Sequence, residues 1–261
     1  MNDQQMDKAA KELAQAWARG EALAAPPDDW PPASRHQAYD LLDRFAANVQ
    51  EDCVGWKMGM SAQKLEWVAE YQGPIPGRIF ASRVFENGAI LPKQIFGHTK
   101  VEAELAFRIN QNFRARAGGY SFAEMTPHIT MLPCAELVKP NLPLQLALEN
   151  ADQLIADNSA CVGVVIGEEI TDWQSLDCDT HPITLMLDAE GPIAPLTGLD
   201  RANPAHTLEN LMVFLGQRNR DLPRGSIVTT GTTNVPPLIA AGNKVNIDYG
   251  WAGMLNFTIE T

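Results

Sequence analysis

Long apolar runs are missing from this 261-residue chain. None approaches the ~20 residues that a bilayer-spanning helix needs, so the sequence predicts a soluble protein. Cysteine is scarce: Cys53, Cys134, Cys161 and Cys178 are widely separated, none forms a close pair, and no basic-then-apolar leader opens the chain. That pattern argues against a disulfide framework and for a reduced, cytoplasmic compartment. Basic residues are in deficit, 20 against 32 acidic ones, for a net charge of -12. Such a chain is repelled by a phosphate backbone and by an anionic membrane surface, so neither nucleic acid nor a membrane is an expected partner. Repeats, low-complexity tracts and flexible linkers are absent as well.

What is there, 45% hydrophobic and 20% charged residues, is ordinary for a globular protein with a sizeable core. Ala9, Ala10, Leu13, Ala14 and Trp17 recur at helical spacing and Gly20 follows as a stop. The proline-rich run from Ala25 to Pro32 cannot continue that helix. Ser34 with Gln37 resembles a capping box, and Ala38, Leu41, Leu42, Phe45 and Val49 then share one helical face. After Asp52 the pattern changes. Cys53 to Met60 reads as extended, Ser61 as the cap of a short helix with Leu65, Val68 and Ala69, and Gly73 to Gly77 as a loop. Ile79 to Phe85 and Ala89 to Leu91 read as strands about the tight turn Asn87-Gly88.

Further on, Ser121 with Glu124 opens a helix before Pro133, and Leu144 to Ala156 has helical periodicity. Cys161 to Ile166 suits a strand buried on both faces. Ile183 to Leu187 and Ile193 to Leu196 flank Glu190-Gly191 as a hairpin, and Asn203-Pro204 starts a helix through Leu215. Ser226 to Thr230, Lys244 to Tyr249 and Met254 to Ile259 are further strands. Many short strands with a few helices predict an α+β fold with curved sheets.

The chemistry concentrates in Val101-Glu102-Ala103-Glu104-Leu105. In a strand, residues two apart share a face, so Glu102 and Glu104 point the same way among apolar neighbours. Spacing alone also fits an edge strand with a solvated acidic face. A third carboxylate favours the other possibility: Glu136 points opposite to Ala135 and Leu137 in a second apolar strand. Buried like charges persist when something cancels them, and a hard divalent cation with oxygen ligands is the economical candidate.

In this order and spacing the segments Leu13 to Gly20, Gln37-Ala38-Tyr39, Gly55-Trp56-Lys57-Met58-Gly59, Val101 to Glu104, Ala135-Glu136-Leu137-Val138, Ile155 to Ser159 and Gly225 to Gly231 resemble the fumarylacetoacetate hydrolase superfamily. The resemblance is to its branch of 2-keto-4-pentenoate hydratases and 4-oxalocrotonate decarboxylases. It implies a mixed β-roll core, with residues 1–50 as an N-terminal helical arm and 51–261 as one catalytic unit. It implies that Glu102, Glu104 and Glu136 bind Mg²⁺ or Mn²⁺. Lys57 matches the family's active-site lysine, able to hold a carboxylate or relay a proton; taken alone it is a strand-end surface lysine. Asp157 and Ser159, with Asn158 between them, match a segment near the family's site and by themselves read as a helix-ending turn. Thr230 and Thr232 match a loop whose hydroxyls reach substrate; by themselves they are a plain turn.

There are departures. Lys139-Pro140-Asn141 stands where the hydratases continue with an Asp-Ser-Arg-like stretch, and Ala160-Cys161 and Thr232 replace positions where serine is common. The activity implied is a metal-dependent hydratase of a 2-hydroxy-2,4-dienoate from aromatic catabolism. Alternatives are an oxalocrotonate-type decarboxylase, an acylpyruvate hydrolase, and a metal-binding subunit with little activity of its own. No histidine has a spacing that marks it as a hydrolytic base. The resemblance further implies a homo-oligomer, with possible association between related hydratases and decarboxylases.

Overall fold

The computed structural model describes residues 1–62, 64, 73, 75–147, 149–188 and 191–261. The anticipated helix with Leu65, Val68 and Ala69 lies outside the described residues, as do Leu148 and Glu190.

Two helices open the chain, α1 (Asp3–Arg19) and α2 (Arg35–Val49). Asn2 caps α1 through a reciprocal bond with Gln5, and Gly20 closes it in the left-handed conformation that lacks a Cβ penalty. Ser34 accepts from the Gln37 amide at the start of α2. Their apolar faces meet each other and a third surface: Leu13, Trp17, Leu41 and Phe45 pack with Phe80, Leu142 and Ile155.

The first strands are β1 (Cys53–Gly59) and β2 (Ile75–Phe80), joined in antiparallel register. The expected loop over Gly73 to Gly77 is therefore largely strand. Pro76 is tolerated because β2 ends the row of strands, where no further ladder partner needs its missing amide hydrogen. The expected single strand from Ile79 to Phe85 is broken by a 3₁₀ turn at Ala81–Arg83. It resumes as β3 (Val84–Glu86), followed by β4 (Ile90–Leu91). Asn87-Gly88 does not make a hairpin of them, because they leave for different sheets.

After a short helix α3 (Lys93–Phe96) come the long strand β5 (Thr99–Ile109), the single-turn helix α4 (Phe122–Met125) and the strand β6 (Ile129–Val138). Ser121 and Glu124 form the expected capping box, yet the helix gives way after one turn to a 3₁₀ turn at Thr126–His128. The expected helix from Leu144 to Ala156 is two pieces, α5 (Leu144–Ala147) and α6 (Ala151–Ala156), the second capped by Asn150. Then follow β7 (Cys161–Ile166), the hairpin β8 (Thr184–Leu187) with β9 (Pro192–Ile193), and α7 (Pro204–Gln217) capped by Asn203. The strands β10 (Ile227–Thr229), β11 (Leu238–Ile239), β12 (Lys244–Asp248) and β13 (Met254–Ile259) close the chain.

The larger sheet runs β2-β1-β10-β5-β6-β7-β3, with β11 also on β5; the smaller runs β4-β13-β12-β8-β9. The pairs β1 with β10, β3 with β7, and β4 with β13 are parallel, the rest antiparallel. One face of β5 and β6, carrying Val101, Leu105, Phe107, Ala135 and Leu137, packs with the smaller sheet and α7 in the main core. The other face carries Ala106, Leu132 and Cys134 beside Ile79, Val164 and Ile227. Because β5 lies between β10 and β6, it is not an edge strand, and its acidic face cannot be a solvated rim.

Candidate metal centre and cavity

The register of β5 on β6 brings the acidic residues together. Glu102 lies directly opposite Glu136, and Glu104 opposite Cys134, one step along the same face. Cross-strand neighbours of this kind have Cβ atoms about 5 Å apart, so three carboxylates meet without any backbone distortion. One oxygen of each lies within 4.8 Å of the others. Glu104 and Glu136 are fully buried, and Glu102 is half-buried toward a cavity.

Their partners are few. Glu104 Oε2 accepts from the Gly231 amide at 2.8 Å, and Glu136 Oε2 from Thr229 Oγ1 at 3.4 Å. Glu104 Oε1 and Glu136 Oε1 are buried without a hydrogen-bond partner. The nearest charge is Lys57 Nζ, 3.4 Å from Glu136 Oε1. Burial and the neighbouring Glu136 charge push Glu102 up to about 7, and burial with Glu136 and Glu102 holds Glu104 well above the usual carboxylate range. Lys57 is only 4% exposed. Burial alone would depress it, but the charges of Glu136 and Glu102 outweigh that and hold the ammonium charged.

These residues fit a divalent cation. Three carboxylates converge, Glu104 Oε1 has neither a hydrogen bond nor an ion pair, and among the described residues Lys57 is the ammonium within 4 Å of the trio, so a divalent cation would let all three be charged. Gly231 supplies its amide from a backbone with φ of 102°, and a Cβ there would meet Ser61 Oγ at 1.9 Å, so a larger residue would displace the donor.

The trio sits beside a cavity of about 550 Å³ lined by Lys57, Glu102, Ser159 and Thr232 among others. Not every residue anticipated from the sequence faces it. Thr230 is buried and donates to the Leu105 carbonyl at 2.6 Å. Asp157 is buried and turned away: its oxygens accept from the Asn141 and Leu142 amides and from Asn141 Nδ2 at 2.7 to 2.9 Å. Against these three donors, burial pushes it up to about 7. Ser159 Oγ donates to the Pro76 carbonyl at 2.6 Å, and Thr232 Oγ1 to the Asn234 carbonyl at 2.9 Å. Asn158, Ser159 and Ala160 all have positive φ, a left-handed stretch rare without glycine. The Asn158 amide stabilises it by pairing with both backbone groups of Arg78 on β2.

Sequence reasoning missed His98 and Lys100, which also line the cavity. For Lys100 the signal was present, since it lies two residues before Glu102 on the same strand. Lys139 reaches the cavity wall too, but its ammonium is spent on the Gly20 and Ile95 carbonyls at 2.8 and 2.5 Å.

With this geometry in hand, comparison with known proteins is informative, although no family model matches the chain. A 2-hydroxyhexa-2,4-dienoate hydratase from Comamonas testosteroni is 22% identical over 267 residues, covering 100% of this chain and 99% of that protein. The structure of 4-oxalocrotonate decarboxylase from Pseudomonas putida G7, complexed with magnesium and adipate, superposes with a TM-score of 0.84. The match is 16% identical and covers 99% of this chain and 98% of the other. A Yersinia pestis CO92 protein described as a fumarylacetoacetate hydrolase family member gives a TM-score of 0.59 at 17% identity, over 78% of this chain and 91% of its own. The fold is fumarylacetoacetate hydrolase-like, as in these neighbours. The end-to-end likeness in sequence is to hydratases and to a 4-oxalocrotonate decarboxylase from Pseudomonas putida, at 19 to 23% identity.

Proposed function

We propose that the chain is a divalent-cation-dependent lyase acting on a 2-oxo acid in its dienol form, and that it hydrates a 2-hydroxy-2,4-dienoate to a 4-hydroxy-2-oxo acid. The observation that carries this is the convergence of Glu102, Glu104 and Glu136 beside a cavity whose wall holds Glu102 and the Lys57 ammonium, with Glu104 Oε1 buried and unpartnered. Those carboxylates would hold Mg²⁺ or Mn²⁺, both suited to an oxygen-only site. A bound cation supplies Lewis acidity toward the substrate's carboxylate and its adjacent oxygen, stabilising negative charge as the dienol loses its hydroxyl proton.

The rest falls to the chain itself. Lys57, held charged in the cavity wall 3.4 Å from Glu136, is placed to hold the substrate carboxylate or to relay a proton. In the net tautomerisation the hydroxyl proton leaves and the terminal carbon gains one. Water oxygen then bonds to the carbon two beyond the ketone, and its proton ends on the carbon between them. Ile75, Val138, Leu142 and Leu154 give the cavity apolar walls that keep bulk water from the chain of the substrate.

A decarboxylase is the second reading, favoured by the full-length likeness to 4-oxalocrotonate decarboxylase. Hydrolysis of an acylpyruvate ranks below both: among the described residues His98 is the histidine lining the cavity, and no carboxylate lies within ion-pair distance of it. Self-association belongs to the same proposal and is checked by light scattering.

The test is to incubate the protein with Mg²⁺ or Mn²⁺ and 2-hydroxypenta-2,4-dienoate, then with the six-carbon dioate analogue, following the dienol absorbance and released CO₂. Loss of absorbance without CO₂ is expected. Evolution of CO₂ assigns the decarboxylase, and no change with either acid sinks the enzymatic reading.

A further inference from the structure

We propose that Lys100 is a specificity residue that binds a second, remote carboxylate, so that the cavity prefers a dioic 2-oxo acid to the matching monoacid; this rests on the 2-oxo acid reading above. Lys100 is on β5, two residues before Glu102 and on the same face. At a rise of about 3.3 Å per residue, its Cα stands roughly 7 Å further along the strand from the metal centre. It lines the same cavity and is exposed to it.

What distinguishes this ammonium is that no close partner holds it: it attracts the Glu102 carboxylate from beyond ion-pair distance. Among the described residues the Lys100 ammonium makes no hydrogen bond and no ion pair within 4 Å, while its backbone pairs with β6 and β11. Lys57 is committed to Glu136 at 3.4 Å. Lys139 is committed to two carbonyls, and burial pushes it below the ordinary lysine value. The remaining wall contributed by Ile75, Val138, Leu142, Leu154 and Leu238 is aliphatic. Such a wall accommodates a short carbon chain, and the basic side chains it leaves for a charged tail are Lys100 and, two residues before it, His98.

The charge balance points the same way. The chain carries a net charge of -12, which disfavours a dianion more than a monoanion. A dianionic ligand therefore needs a local cation beyond the one at the metal centre, and a lysine two residues along the strand supplies it. A monoacid would gain nothing from that ammonium, which stays solvated on the exposed end of the strand.

The experiment uses two saturated six-carbon acids that cannot be hydrated and differ only in the terminal group, 2-oxoadipate and 2-oxohexanoate. Their binding to the Mg²⁺-loaded protein is measured calorimetrically for the wild type, Lys100→Met and Lys100→Arg, with melting curves to establish that each variant is folded. The wild type is expected to favour 2-oxoadipate by about 10-fold or more, the yield of a charge-assisted contact. Lys100→Met should reduce that ratio to near unity, and Lys100→Arg should largely retain it. Equal affinity of the wild type for the two acids, or equal weakening of both in Lys100→Met, overturns the assignment of Lys100 alone. Failure of both acids to bind overturns the 2-oxo acid reading with it.

Discussion

At the scale of single residues, the costly feature is the trio of carboxylates. Glu104 and Glu136 are fully buried, share a 4.8 Å sphere with Glu102, and have one ammonium to set against them. Replacing Glu104 by glutamine keeps the size of the side chain and an acceptor for the Gly231 amide while removing one charge. Glu104→Gln is expected to raise the melting temperature of the metal-free protein, because like-charge repulsion is relieved. It should also lose the stabilisation that Mg²⁺ gives the wild type, with affinity falling by more than the roughly 10- to 100-fold typical of an outer-shell change. Thermal melts with and without Mg²⁺ check both halves, and an undiminished Mg²⁺ shift removes Glu104 from the site. Lys57 should behave oppositely. Taking its positive charge from beside Glu136 makes the pocket more attractive to a cation, so Lys57→Ala should bind Mg²⁺ as tightly or more tightly. Turnover should drop by about 100-fold or more, as for loss of a general acid. Calorimetry beside steady-state kinetics separates the two, and a variant with unimpaired turnover returns Lys57 to a structural role.

At the scale of elements, the centre depends on two stretches outside the acidic strands. Beyond β10 the chain stays on β5: the Gly231 amide reaches Glu104, Thr233 bonds Ala103, and β11 pairs with Lys100. The second stretch is the left-handed turn 158–160, anchored by Asp157, whose carboxylate gathers three donors from residues 141 and 142. Burial raises Asp157 to about 7 from an ordinary 3.8. The folded state therefore holds this proton more strongly than the unfolded one. The resulting stability is present in full below pH 3.8 and is lost as pH rises through about 7. Asp157→Asn should flatten the unfolding free energy across that window, removing a slope of up to about 1.4 kcal/mol per pH unit. Urea titrations at a series of pH values measure it, and parallel curves for wild type and variant refute it. Local signals made most elements legible beforehand: caps at Ser34, Asn203 and Ser121, and the alternation around Glu102 and Glu136. Partnership was not legible, because alternation reveals that a strand has two faces without saying what lies beside it. Hence β2 was hidden by Pro76, the strands β3 and β4 parted to different sheets, and Asp157, matched to the site by resemblance, turned out to hold a loop.

At the scale of the molecule, two sheets must stay in register if a face of one is to hold a cavity. The apolar core between them is non-directional and would tolerate sliding; polar bonds that cross it do not. Tyr249, at the end of β12 in the smaller sheet, is fully buried and donates its hydroxyl to the Cys134 carbonyl on β6 at 2.6 Å. Cys134 is the residue opposite Glu104, so this bond pins the smaller sheet to the strand pair that carries the acidic trio. Burial keeps the phenol well above its ordinary value, which favours the protonated, donating form. Tyr249→Phe removes one oxygen and leaves the Cys134 carbonyl without its cross-sheet partner, at a cost of about 1–3 kcal/mol. The urea midpoint should fall with an unchanged slope, since the surface exposed on unfolding is the same. Mg²⁺ affinity should fall with it if the bond also fixes β6 against β5. A variant as stable as the wild type would mean that apolar packing alone fixes how the two sheets sit.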